Sequence, residues 1–431
     1  MNRIAIIADD LTGASDCGAA LLPYGMEVNV QVGDTFNGDS HQAVVWNTDS
    51  RALPAKTAYE QVKQIAATVK EEAFDLVYKK IDSTMRGNIG SELDALYDVF
   101  HPDVIIVAPA FPKQSRIVKN RIHRVNGVPL GDSEVARDPK TPITISDIQT
   151  LLQMQSAHKV GHLTVEYLES GEVRTEEQLK RLVAQGHDYI TVDAATENDL
   201  KVLAAAGVNS GLQIIWSGSS GLFHHLPGSY GFTKKMMPNE MTIQQGNVLF
   251  VIGSMSRHGR NQLMQLLREK ELASVEVNAE NLVTDTEASE TESKRVFQEV
   301  QKAIVENLHP VLFASEKLVE AHDELEAVSH SNRIAKELGR LVEQIVERLG
   351  INRLFLTGGD TALQVLRQLR VTSFQLFKEI EPGVPFGKAS EQDLYIVTKA
   401  GSFGSMEVMV SALEALKGER QLETNHRNHN G

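Results

Sequence analysis

Acids, cations and hydroxyls crowd the residues that follow four short apolar runs early in the chain. "RIAIIA" leads into Asp9, Asp10, Leu11, Thr12 and Gly13. "AVVWNT" leads into Asp49, Ser50 and Arg51. "DLVYKK" ends in Lys79 and Lys80 and leads into Ile81, Asp82, Ser83, Thr84, Arg86 and Asn88. "DVIIVAPA" leads into "FPKQSR". Such a set suits a pocket for a small polyhydroxylated anion. Arg51 and Lys80 are the cations for a carboxylate, and the Asp and Asn side chains are the partners for hydroxyls. Each residue alone has a plainer reading. Asp10 or Thr12 is a natural cap for a helix starting near Gly13, and Lys79 with Asp82 reads as a solvated pair. Four strand ends with the same chemistry outweigh those readings taken singly.

A second set lies late in the chain and is made of glycine and small hydroxyl residues. It comprises "GSMS" (253 to 256), "TGGDTA" (357 to 362) and "KAGSFGS" (399 to 405). Glycines at a strand-to-helix turn let backbone N–H groups approach phosphate, and a helix N-terminus favours negative charge. One such turn is equally a tight turn with Asp360 or Thr361 as its cap. Three in one region point to a nucleotide-phosphate site. Two near-matches fail on their chemistry. "GVPFGKAS" (383 to 390) has three residues between its glycines, lacks the hydroxyl after lysine and follows no expected strand, so it is not a P-loop. "ADDLTG" has Ala8 where a phosphatase of the DxDxT type carries its nucleophilic aspartate. No metal-binding spacing of His or Cys occurs. A divalent ion here would be magnesium riding on nucleotide phosphates with at most one carboxylate.

The elements that must position these residues follow from the pattern. Continuous apolar runs suit strands buried on both faces of a parallel sheet. They recur at 188 to 194, 212 to 218, 247 to 254, 309 to 315, 353 to 359 and 393 to 401. Helical patterns lie between them, such as "TEEQLKRLVAQG" with Gly186 as its stop. At 431 residues the chain exceeds one ordinary core. Gly, Lys, Met and Pro break the alternation before it restarts, placing a boundary near 235 to 245. The expectation is an α/β fold: two α/β domains, 1–235 and 245–431, each with a largely parallel sheet flanked by helices, and an active site in the interdomain cleft. Residues 279 to 295 read as an acidic surface excursion, and the polar end "ETNHRNHNG" as a frayed tail.

Composition narrows the partners. Hydrophobic residues make up 42% and charged residues 23%, with a net charge of −14, which argues against a general nucleic-acid surface. The single cysteine, Cys17, leaves no internal disulfide and fits a cytoplasmic location. No apolar run reaches the length of a membrane span. A homo-oligomer is allowed but not readable from the sequence.

Taken together, "ADDLTGASD", "TDSR", "KKIDSTMRGNIGSEL" and "PAFPKQSR" resemble the N-terminal domain of the four-carbon acid sugar kinases. "TGGDTA", "EIEPGVPFG" and "KAGSFG" resemble that family's nucleotide-binding C-terminal domain. The resemblance implies ATP-dependent phosphorylation of the terminal hydroxyl of D-threonate, D-erythronate or a 3-oxo-tetronate, with Mg2+ accompanying ATP. It implies that Asp10, Arg51, Lys80, Ile81, Asp82 and Ser83 bind the acid, and that Ser254, Gly358, Gly359, Asp360, Thr361 and Gly401 bind ATP. The "KKIDSTMRGN" run is more similar to the threonate and erythronate kinases, and D-threonate is the expected substrate. Asp10 or Asp82 would accept the hydroxyl proton, and Asp360 would contact magnesium or ribose. A dehydrogenase would need a GxGxxG turn after the first strand, where acids stand instead. A non-catalytic sugar-acid sensor would not need two separate sets, one for sugar and one for phosphate.

Overall fold

The computed structural model describes residues 3–33, 41–138, 140–235, 243–253, 256–269, 271–284, 286–315, 324–401 and 403–418. The chain divides into two compact units. One comprises residues 1–237 together with 320–332 and 370–378. The other comprises 238–319, 333–369 and 379–431.

The strands of the first unit are β1 (Ile4–Ala8), β2 (Val28–Gln31), β3 (Ala43–Asn47), β4 (Leu76–Lys80), β5 (Val104–Ala108), β6 (Arg116–Lys119), β7 (Ile122–Val125), β8 (Val128–Pro129), β9 (Val160–Leu163), β10 (Tyr189–Val192) and β11 (Ile214–Gly218). Those of the second are β12 (Leu249–Ile252), β13 (Leu272–Val277), β14 (His309–Ala314), β15 (Arg353–Thr357), β17 (Val384–Ala389) and β18 (Tyr395–Lys399). The first residues of β16 (Ser373–Glu381) belong to the first unit.

In the first unit the sheet runs β2-β3-β1-β4-β11-β5-β10-β9, all parallel, with β16 antiparallel against β2. Helices such as Leu11–Ala19 and Ile89–Phe100 supply the crossovers. β1, β3, β4 and β5 are buried along their whole length, as expected for strands covered on both faces. Their ends are in register. Ala8 pairs with Asn47 and Lys80, and Gly218 with Lys80 and Ala108. The polar segments that follow therefore leave one sheet edge together. A small antiparallel sheet, β6-β7-β8, stands apart.

In the second unit the order is β13-β14-β12-β15-β18, parallel, with β17 antiparallel on β18. Its core gathers Phe250, Phe355, Val397, Met409 and Leu413. Ile252, Thr357 and Lys399 are in register, so the glycine-rich segments also leave one edge.

Two sequence expectations change. Residues 279 to 295 are no surface excursion. They form helix Ala279–Thr284 and the start of helix Thr286–Val305, with Leu282, Val283 and Val296 buried. Glu280, Glu287 and Glu290 are exposed and dominated the composition, while Glu292 is buried and paired with Arg295. The segment "GVPFGKAS" does follow a strand, β16, and is itself strand β17. Its rejection as a phosphate loop gains a physical reason, because Phe386, Gly387 and Lys388 are paired in the β17–β18 ladder. Among the described residues no helix is long and apolar enough to cross a membrane.

Candidate functional site

At the β1 edge, Asp9 and Asp10 share one guanidinium. Arg51 donates through Nε and an Nη to both oxygens of Asp9, at 2.8 and 3.0 Å, and lies 2.8 Å from Asp10 Oδ1. Asp10 also caps helix Leu11–Ala19, accepting from the Gly13 N–H at 3.0 Å and the Thr12 hydroxyl at 2.6 Å. The capping role and the expected site role fall on one residue. Burial works against the Asp10 charge, but Arg51, Lys80 and Thr12 hold its carboxyl below the ordinary range.

The loop carrying Arg51 is held from behind. Asn88 donates to the Ser50 and Leu53 carbonyls at 3.0 and 2.7 Å. Gly87, at φ +98°, lies so close that a Cβ there would sit 3.0 Å from Arg51 Cγ, a place only glycine fills without strain.

The two lysines at the end of β4 part company because side chains alternate across a strand. Lys79 turns to one face and pairs with Glu92 at 2.6 Å, both fully buried. It is no solvated partner of Asp82. Lys80 turns to the other face. Its ammonium donates to the Ile81 carbonyl at 2.9 Å and has no carboxylate in direct contact among the described residues. A Cβ on Gly13 would lie 2.6 Å from both Lys80 Nζ and Asp10 Oδ1, so Gly13 makes room for the pair. Burial opposes the Lys80 charge, yet Cys17, Asp10 and Asp9 raise its pKa.

Asp82 is held differently. Arg86 grips it with two bonds of 2.8 and 3.1 Å, Thr84 donates from both hydroxyl and N–H, and Arg51 stands at 3.9 Å. Despite burial, Arg86 and Arg51 keep its carboxyl well below the usual range. Ile81 is fully buried, its N–H donated to the Gly218 carbonyl and its own carbonyl taken by Lys80. Ser83 is half-buried, and its carbonyl meets His123 Nε2 at 2.8 Å.

Sequence reasoning missed Arg86 as the clamp on Asp82, His123 beneath Ser83, and the β11 end. The last of these was visible as "SGSSG". Ser220 there bonds Asp16 and lies 3.4 Å from Cys17 Sγ.

Burial pushes the His123 imidazole down to about 4, with Asp82 and Arg116 the charged groups facing it. A base whose folded pKa is depressed costs stability as pH falls from its unfolded value of ~6.5 to about 4, because only the unfolded chain gains the proton there. The expected loss is about 3 kcal/mol over that window. The depressed carboxylates Asp10 and Asp82 lose their contribution only below their ordinary range. Denaturant unfolding from pH 7 to 4 is expected to show a shallower decline in His123→Gln, which keeps the Nε donor position. Parallel declines would assign the slope elsewhere.

In the second unit, Gly358 (φ +94°) ends β15 and begins helix Gly359–Gln368, whose start has no side-chain cap. A helix start without a side-chain cap suits an anion. Thr361 is buried against Gly253, where a Cβ would fall 2.0 Å from its hydroxyl oxygen. Asp360 is exposed in the helix's first turn. Gly401 follows β18. Its carbonyl accepts from Ser256 at 2.9 Å and Lys399 at 3.0 Å. Ser254 lies outside the described residues, as does the C-terminal tail.

Residues 4–226 match the family described as sugar-binding N-terminal domain, and residues 249–409 the nucleotide-binding C-terminal domain. The chain belongs to the four-carbon acid sugar kinases. It is 32% identical to the D-threonate kinase of Salmonella typhimurium LT2, over 95% of this chain and 97% of that one. It is 30% identical to the 3-oxo-tetronate kinase of Actinobacillus succinogenes, over 93% and 96%. With the D-erythronate kinase of Heliobacterium modesticaldum the identity is 29%, over 98% and 99%. Among solved structures, Haemophilus influenzae protein HI1011 superimposes with a TM-score of 0.72 at 26% identity, over 95% and 99% of the two chains. This kinase is thus an α/β, ATP-using enzyme acting on a four-carbon sugar acid.

Proposed function

We propose that this kinase transfers the γ-phosphoryl group of ATP to the 4-hydroxyl of D-threonate, giving D-threonate 4-phosphate and ADP. The observation that carries the acid site is the Lys80 ammonium, buried at the sheet edge with one backbone acceptor and Asp10 beside it. A buried cation with donors to spare suits a carboxylate. Arg51, already engaged by Asp9 and Asp10, holds those acids in place and takes the second share of the substrate's charge.

Of the two candidate bases, Asp10 is assigned the proton. Its side chain keeps 18% exposure against 10% for Asp82, which Arg86 grips with two bonds. Asp82 instead keeps Arg86, Thr84 and the Ser83 turn in place. The substrate oxygen attacks phosphorus, the bond to the β-phosphate oxygen breaks, and the hydroxyl proton passes to Asp10 late in the transfer. A low pKa is tolerable for a proton accepted late. The uncapped helix start at Gly359 and the Gly401 turn suit the phosphates. Among the described residues no three His, Cys, Asp or Glu side chains gather as a metal cage, so Mg2+ would be held chiefly by phosphate and water oxygens.

The "KKIDSTMRGN" run favours threonate or erythronate over the 3-oxo-tetronates, and threonate is chosen of the two because the relative at 32% identity is a D-threonate kinase. An ADP-release assay against D-threonate, D-erythronate and 3-oxo-tetronates is expected to give the highest kcat/KM with D-threonate. A higher value for another acid would replace the substrate, and no ADP with any of them would overturn the reading.

A further inference from the structure

A set of side chains in the second unit draws the carbonyls of Ala400, Gly401, Phe403, Gly404 and Ser405 to one side. Lys399 Nζ donates to the Ala400, Gly401 and Phe403 carbonyls at 2.9, 3.0 and 3.2 Å. The Gln262 amide nitrogen, with two hydrogens to share, lies 3.0, 3.0 and 2.8 Å from those of Phe403, Gly404 and Ser405 and 2.9 Å from His258 Nε2. His258 Nε2, in the tautomer protonated there, donates to Gly404 at 2.9 Å. Ser256 donates to Gly401 and accepts from the Gly259 N–H. Lys399 and Gln262 are fully buried. His258 and Gln262 stand one turn apart on helix Arg257–Leu266, so one face supplies both.

A trans peptide is planar, and its N–H points opposite to its C=O. Turning the Ala400, Phe403 and Gly404 carbonyls inward therefore turns the N–H groups of Gly401, Gly404 and Ser405 the other way. The Ser405 N–H and hydroxyl already donate to a carboxylate there, Glu381, each at 2.6 Å. Neither the Gly401 nor the Gly404 N–H has a partner among the described residues. Gly404, at φ +83°, gives the run its concave turn.

We infer that Lys399, Gln262 and His258 are positioning residues that aim the Gly401 and Gly404 N–H groups at nucleotide phosphate oxygens. No carboxylate contacts the Lys399 ammonium directly among the described residues, and its donors go to carbonyls instead. Its place is behind the loop, where it shapes the N–H face without touching the nucleotide. The inference rests on the reading that ATP occupies these strand ends.

The test compares Lys399→Met, Gln262→Leu and His258→Ala with Gly401→Val in the full-length enzyme. It measures melting temperature, both KM values, kcat and calorimetric ADP binding. Folded Lys399→Met and Gln262→Leu are expected to raise the ATP KM and the ADP Kd tenfold or more. The acid KM and kcat at saturating ATP should stay within twofold. Lys399→Arg, which keeps donors, is expected to recover most of the ADP affinity. If Lys399→Met or Gln262→Leu fails to fold, His258→Ala decides, with a threefold or greater rise expected. Unchanged ADP affinity in the folded positioning variants, with Gly401→Val weakened, overturns the inference alone. Unchanged affinity in Gly401→Val as well removes the nucleotide from this loop, and the inference with it.

Discussion

Arg51→Ala is expected to lower kcat/KM for the sugar acid by at least a thousandfold, about 4 kcal/mol of transition-state stabilisation. One guanidinium joins two carboxylates, Asp9 through a fork of 2.8 and 3.0 Å and Asp10 at 2.8 Å, with Asp82 at 3.9 Å. Removing it leaves acids of like sign close together at the sheet edge where the anionic substrate is proposed to bind. Breaking a buried pair from one side costs roughly 3–5 kcal/mol, so part of the loss in this variant will be stability. Arg51→Lys separates the two effects. Lysine keeps the charge but cannot span two oxygens with one planar fork. It should remain folded, as judged by its thermal transition, and still lose a hundredfold or more. Near-normal turnover in both variants would remove Arg51 from the acid site. With the guanidinium gone, the Asp10 carboxyl is no longer held down. The acid limb of the kcat/KM profile of any active variant should then move to higher pH.

Why this cluster was readable in the sequence, and where reading stopped, follows from what each residue depends on. Strand ends were legible because short apolar runs stop abruptly at Asp9, Asn47, Lys79 and Pro109, and parallel strands in register must release those segments at one edge. The parting of Lys79 and Lys80 follows from alternation alone. Its consequence, the buried Lys79–Glu92 pair, needed the crossover helix Ile89–Phe100 to be placed on that face. The Arg86 clamp on Asp82 depends on a turn whose bend is set by Met85 at φ +60° and Gly87 at φ +98°, which no periodicity reports. β11 was recognised as a strand, but its insertion between β4 and β5 is a fact of topology. That insertion brings Ser220 to Asp16 and Cys17 from about 200 residues away. His123 reaches Ser83 from the small antiparallel sheet, whose strands are too short for a periodic signal.

Gly358→Val is expected to raise the ATP KM tenfold or more and to weaken ADP binding equally in calorimetry. The backbone at Gly358 has φ +94° and ψ 116°, a region closed to β-branched residues. The residue stands between β15 and helix Gly359–Gln368. Its N–H donates to the Lys399 carbonyl at 3.3 Å and its carbonyl accepts from Ala362 at 2.9 Å. Valine has to rotate out of that conformation, which turns the first peptide planes of the helix. Those planes carry the uncapped N–H groups that suit phosphate. Each tenfold in affinity is about 1.4 kcal/mol, comparable to one misdirected charge-assisted hydrogen bond. Gly358→Ala, with a smaller side chain but the same backbone conflict, should fall between valine and wild type. Sugar-acid binding, measured without nucleotide, is expected to be unchanged, because the residues assigned to it belong to the other compact unit. Intact ADP affinity in a folded Gly358→Val enzyme would remove the helix start from the phosphate site. Loss of both ligands together would mean that the substitution unfolds more than its own strand end.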